Sequence, residues 1–141
     1  MTTIRESILT TIMANLSSPP SVGVPIYRTR VTPLARGEFP AIIVEPVSDQ
    51  ADQPVIPMLD WRMIVRVSVM VKNDTPDQAG DALIQQVHAK MMSDLTLGGL
   101  AYDVQPISTS WDFIESDVPT GLISYDFAVL YRTSLTDLTV V

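Results

Sequence analysis

Residues 59–72, LDWRMIVRVSVMVK, alternate from end to end. Leu59, Trp61, Met63, Val65, Val67, Val69 and Val71 are apolar, while Asp60, Arg62, Arg66, Ser68 and Lys72 between them are polar. A period of two is that of a β-strand with one face buried and the other wet. At about 3.3 Å per residue such a strand runs on the order of 45 Å, whereas a compact domain of this size has a radius of gyration of about 14 Å. The strand therefore spans the whole domain, bends at a bulge or overhangs an edge. Ile64 and Met70 interrupt its polar face. Either a second subunit covers them, or they are the scattered surface hydrophobes that any globular protein carries.

The chain has 141 residues, enough for one domain that buries roughly 68% of its unfolded surface. No cysteine is present, which excludes a disulfide framework and any thiolate metal site. No stretch combines a basic start with an apolar run, and none is long enough to span a bilayer, so a soluble protein made in the cytoplasm is expected, without membrane contact. The net charge of −7 opposes an electrostatic grip on nucleic acid. The charge is also sorted: residues 1–72 hold seven bases against six acids, net +1, and residues 73–141 hold two bases against ten acids, net −8. Unlike surfaces on opposite sides are what a heterologous, ring-closing contact needs; a merely solvated acidic half is the plainer reading.

In chain order, Thr3 and Glu6 fit a capping box. Ile4, Ile8, Leu9, Ile12 and Leu16 then share one arc of a helix over about 4–16. Residues 24–31 read as a strand, and residues 39–44, apolar on both faces, as a central one. Residues 46–58, with three prolines and no period, read as an exposed arm, more often functional than idle at that length. Thr75-Pro76-Asp77-Gln78 announces a second helix, whose inward arc is Leu83, Ile84, Val87 and Met91, with Gly80 in its middle allowing close approach to a sheet. Leu97-Gly98-Gly99-Leu100 is a turn. Residues 102–109 form a weak strand that Pro106 pushes towards an edge or bulge. Residues 110–120 read as an acidic, aromatic loop, and residues 121–133 alternate again as a final strand. The tail 134–141 either packs on a neighbour or frays. The sum is an α+β domain: a mainly antiparallel twisted sheet with two helices packed on one face.

Chemistry is sparse. His88 is the lone imidazole, no Gly-x-Ser-x-Gly elbow occurs, and a partly buried helix histidine is the expected state. Asp112, Glu115 and Asp117 lack EF-hand spacing, and Gly98-Gly99 is no phosphate cradle. No catalytic residue, metal or cofactor is expected. Arg28, Arg30 and Arg36 are too few for a nucleic-acid patch but suit acidic residues of a partner.

Tyr27-Arg28-Thr29-Arg30-Val31, Arg36-Gly37-Glu38-Phe39-Pro40 running on to Pro46, the segment 76–92 followed by Asp94-Leu95-Thr96-Leu97-Gly98-Gly99-Leu100, Trp111-Asp112-Phe113 and Tyr131-Arg132-Thr133 follow one another in an order and spacing that resembles the tail terminator (minor tail, tail-completion) proteins of long-tailed bacteriophages. The resemblance covers nearly the whole chain and rests on order rather than on any single motif. It implies a virion protein, assembled in the host cytoplasm, whose hexameric ring caps the tail tube at the neck, stops tube polymerisation and offers a surface to head completion proteins. DNA would pass through that ring without specific binding.

In that picture Arg62, Ile64, Arg66, Met70 and Lys72 lie at the subunit interface, the bases pairing with Asp77, Asp81 or Asp112 of a neighbour. Asp49, Asp52, Val55 and Ile56 of the arm, with Trp111, Phe113 and Glu115 of the loop, are candidate contacts to the tube or neck. Two alternatives accompany it: another tail or neck component, such as a head-tail connector or tube protein, and a small enzyme or ligand-binding domain using His88 with Asp112 or Glu115.

Overall fold

The computed structural model describes residues 2–19, 22–30, 33–34, 36–115 and 117–141. The chain runs α1 (Ile4–Ser17), β1 (Ile26–Arg28), a 3-10 turn (Arg36–Glu38), β2 (Ala41–Val55), β3 (Met58–Lys72), α2 (Pro76–Met92), β4 (Asp103–Ile114) and β5 (Thr120–Ser134). The strands form one sheet in the order β1-β2-β3-β5-β4. Only β1 with β2 is parallel; the other neighbours are antiparallel.

β3 behaves as its alternation requires. Met63, Val65, Val67, Val69 and Val71 are buried, and Ile123, Tyr125, Phe127, Val129 and Tyr131 of β5 line the same side. Both helices pack on that inner face. α1 contributes Ile4, Ile8, Leu9, Ile12 and Leu16, and α2 contributes Leu83, Val87 and Met91; each fully buried aliphatic side chain is worth about 1.5–3 kcal/mol. The even residues of β3 and β5 form the outer face, which no element covers among the described residues.

Local chemistry sets the helix ends. Thr3 Oγ1 accepts from Glu6 N–H at 3.1 Å, but the Glu6 carboxylate turns to Arg28 instead of completing the box. At α2, Thr75 makes no side-chain cap; its N–H and hydroxyl both donate to Asn73 Oδ1. Pro76 occupies the first turn as expected and packs on Gly121, where an added Cβ would lie 2.7 Å from Pro76 Cβ. A Cβ on Gly80 would lie 2.2 Å from Ile123 Cδ1. Two missing side chains thus let α2 settle against β5.

Four segments differ from the sequence reading. Residues 46–58 are no loose arm: β2 continues to Val55 and returns through Ile56-Pro57 into β3, a long hairpin. Pro46 is accommodated at a register shift between Pro46 and Ser48, where a lost donor costs least, and exposure of the distal hairpin removes any need for apolar alternation. Residues 110–114 are strand too, because β4 runs to Ile114 as an edge strand. Of the expected loop, residues 115 and 117–119 lie between the strands and residue 116 lies outside the described residues; Pro106 sits beside the register shift between Pro106 and Ser108. The early strand is only Ile26–Arg28, with Thr29 at positive φ ending it; Val31, its expected last residue, lies outside the described residues. The tail is tied down: Leu138 C=O accepts from Ile4 N–H, and Leu135 N–H donates to Pro57 C=O.

Candidate subunit interface

Where the long strands overhang, α1 clamps the hairpin on the inner face. Arg5 Nε donates to Asp49 Oδ2 at 2.6 Å and to Tyr131 Oη at 3.2 Å, and its guanidinium lies 5.2 Å from the centre of the Trp61 ring. Tyr131 Oη also donates to Asp49 Oδ2, while the indole N–H of Trp61 donates to Thr133 Oγ1. Burial, reinforced by the Asp49 carboxylate, pushes the Tyr131 hydroxyl well above its ordinary range, against the opposing pull of Arg5. Asp49 is only 12% exposed. It is a fastening of the hairpin rather than the free tube contact that its place in a supposed arm suggested. Asp52, Val55 and Ile56 do stand in solvent, Ile56 at 78% exposure.

The outer face carries Arg62, Ile64, Arg66, Met70 and Lys72, with Asp112 on the same side two strands away, opposite Leu122. Arg66 is satisfied within the chain, Nε to Asp126 Oδ1 at 2.9 Å, and that hydrogen bond raises its pKa. A partner acid is therefore not needed for Arg66. Lys72 lies 5.2 Å from the centre of the Phe39 ring. Arg62 is exposed and forms no ion pair among the described residues. Leu122 and Leu130 of β5 join Ile64 and Met70 as half-buried apolar residues on this face. Asp77 and Asp81 belong to α2 in the opposite layer, so the supposed set of paired residues is split between two faces.

What the sequence did not assemble is a groove between α2 and the edge strand β4. Trp111 and Phe113 point inward on β4, opposite Ile123 and Gly121, yet remain 56% and 54% exposed, because β4 has no outer neighbour. They share an open depression with Asp77, Gln78 and Asp81. A second depression follows it along α2, lined by Asp81, Ile84, Gln85, His88, Thr109 and Tyr125. The alternation of Trp111, Phe113 and polar Ser110, Asp112 was the available signal. His88 is exposed, not partly buried; its Nδ1 lies 2.6 Å from Tyr125 Oη and its ring stacks on that residue. Asp112 faces the other side of the sheet and Glu115 follows the strand, so neither joins His88. No group of three or more metal-ligating side chains occurs among the described residues.

The architecture defines a class: a small α+β domain with, among the described residues, one covered sheet face, one bare face and two unpaired edges. No family model matches the chain, and no curated protein does. Among solved structures it is similar to a chain in the virion of a native gene transfer agent particle, at 10% identity and a TM-score of 0.55, over 92% of this chain and 97% of that one. At that identity the likeness establishes the shared fold.

Proposed function

We propose that this chain is a structural protein of a phage-like virion, non-enzymatic, whose hexameric ring caps the tail tube at the neck, ends tube polymerisation and presents the joining surface for head completion proteins. The observation that carries the reading is the fold shared, nearly end to end, with a chain of a gene transfer agent virion. The surface is compatible with it: the bare sheet face holds two separate apolar pairs, Met70 beside Leu122 and Ile64 diagonal to Leu130, with the Arg66–Asp126 ion pair between them, a mixed surface of the kind found at contacts between proteins. The hairpin tip at Val55 and Ile56 is a candidate contact to the tube, and the acidic second half of the chain suits a bore through which DNA slides unbound.

The test is reconstitution. Purified chain is added to tail tubes growing from their own subunits, and the products are viewed by electron microscopy. The reading expects one closed ring at the end of each tube and a halt to elongation. Incorporation of the chain along the length of the tubes would instead make it a tube subunit, since unlike sheet edges also build open helical assemblies. Free tubes with no added density would refute a tail role.

A further inference from the structure

We propose that neighbouring copies join edge to edge, β4 and the α2 groove of one copy receiving the β1 edge of the next, so that Arg28 meets Asp81. This deepens the ring reading and rests on it. The first observation is that β1 and β4 are the two ends of the sheet. β4 is an edge of 12 residues with two exposed aromatic side chains, and a long apolar edge left open is a template for pairing.

The second observation is register. Ile26, Ile42, Val69, Ile123 and Trp111 lie on a single row across the five strands, and the next row joins Tyr27 to Ser110. The two edges therefore overlap along the strand direction, and pairing them in this row register would carry no axial step, as a closed ring rather than a filament requires. The hairpin tip fails this condition. Met58 lies eleven residues along β3 from the Val69 row, about 36 Å at 3.3 Å per residue. Strand direction also agrees: β1 parallels β2, and the directions then alternate through β3, β5 and β4, so β1 laid beside the next copy's β4 makes an antiparallel ladder.

Charge identifies the occupant as a second copy. Residues 24–37 contain three arginines and no acid, whereas residues 73–89 and 103–119 contain acids and neither lysine nor arginine. Arg28 falls on the row of Thr109, on the inner side, where Asp81 borders the groove beside Thr109. Glu6 engages two of its N–H donors, at 2.6 and 2.5 Å, which leaves others of the five in a guanidinium for a second carboxylate.

The chain has no cysteine, so an engineered pair reports cleanly. Tyr27→Cys and Ser110→Cys in one chain, assembled with tail tubes and oxidised, should give a disulfide-linked ladder reaching the full ring, and neither single variant should pass a dimer. Independently, Arg28→Glu or Asp81→Lys should weaken self-association about tenfold, and the double swap should restore it. Melting curves within a few degrees of wild type show that each variant is folded. Rings that form while the cysteine pair stays unlinked and the charge variants behave as wild type overturn the edge contact and leave the ring standing. If Asp81→Lys releases the tube but not the neighbouring copy, the groove serves another protein and the proposal fails. Wild-type chain that forms no ring with or without tubes overturns both.

Discussion

Replacing Asp49 separates a fastening from a contact surface. In Asp49→Ala the Tyr131 hydroxyl, on a side chain only 1% exposed, loses its acceptor, and an unsatisfied buried hydroxyl costs about 1–3 kcal/mol. Arg5 loses a charge-assisted bond, but its side chain is 35% exposed and can turn to water, so at most about 1 kcal/mol attaches to it. Removing Asp49 Oδ1, which is buried without a partner among the described residues, returns part of this. The expected net loss is about 2–3 kcal/mol, or a fall in melting temperature of about 6–10 °C for a chain of this length. Tyr131→Phe alone should cost about 1–2 kcal/mol. The double variant should fall short of additivity by about 1 kcal/mol, because the two groups share one hydrogen bond. Thermal and urea unfolding of the four proteins measure this. Additive losses, or a neutral Asp49→Ala, would refute the clamp and return Asp49 to the exposed surface as a partner contact.

Other perturbations have equally definite outcomes. Gly80→Ala gains about 1 kcal/mol of helix propensity but drives a methyl into Ile123 Cδ1, an overpacking cost of about 1–3 kcal/mol. It should be neutral to destabilising in the wild type and stabilising in an Ile123→Val background, read by melting temperature. The Tyr131 hydroxyl has a raised pKa in the folded chain, so the folded state holds that proton more tightly. The stability this provides is whole below about pH 10 and drains away above it, by about 1.4 kcal/mol per pH unit; Tyr131→Phe should lack that extra alkaline slope in unfolding titrations. Arg62→Glu should leave the isolated chain's melting temperature within about 2 °C of wild type. Arg66→Glu should lower it further, since the new carboxylate would face Asp126 and, across β2, Glu45.

The parts of the fold that bury one face were legible in the sequence, and those that bury none were not. β3, β5 and both helices announce themselves because the core dictates every second or every third to fourth residue. Distal β2 and outer β4 are strands held by backbone pairing on one side, with solvent on most of the remainder. Nothing in such a setting selects apolar residues at alternate positions, so prolines and aspartates there read as arm and loop. The same cause hid the candidate interface: Asp77 and Asp81 were visible as charges, and Trp111 and Phe113 as aromatics. Only the pairing of β4 beside β5 sets them around one groove. Arg66 has an in-chain partner that the sequence hid, since Asp126 lies 60 residues away and no local pattern links them.

Why a chain this small keeps strands of 15 residues follows from what those strands leave uncovered. α1 covers the overhang only as far as the Arg5 clamp, and beyond it Val55 and Ile56 meet water. A hairpin that served only its own core would stop near Asp49, because each further exposed residue costs about 1–2 kcal/mol in backbone ordering without apolar burial to offset it. That cost is consistent with burial against another protein. Replacing Val55 and Ile56 by Asn and Gly, which keeps the register and Pro57, should therefore leave the melting temperature of the isolated chain unchanged or slightly raised, while reducing its binding to tail tubes in a co-sedimentation assay. A variant that unfolds would show the tip to be part of the domain's own stability. One that folds and still binds tubes at full strength would remove the hairpin from the tube contact.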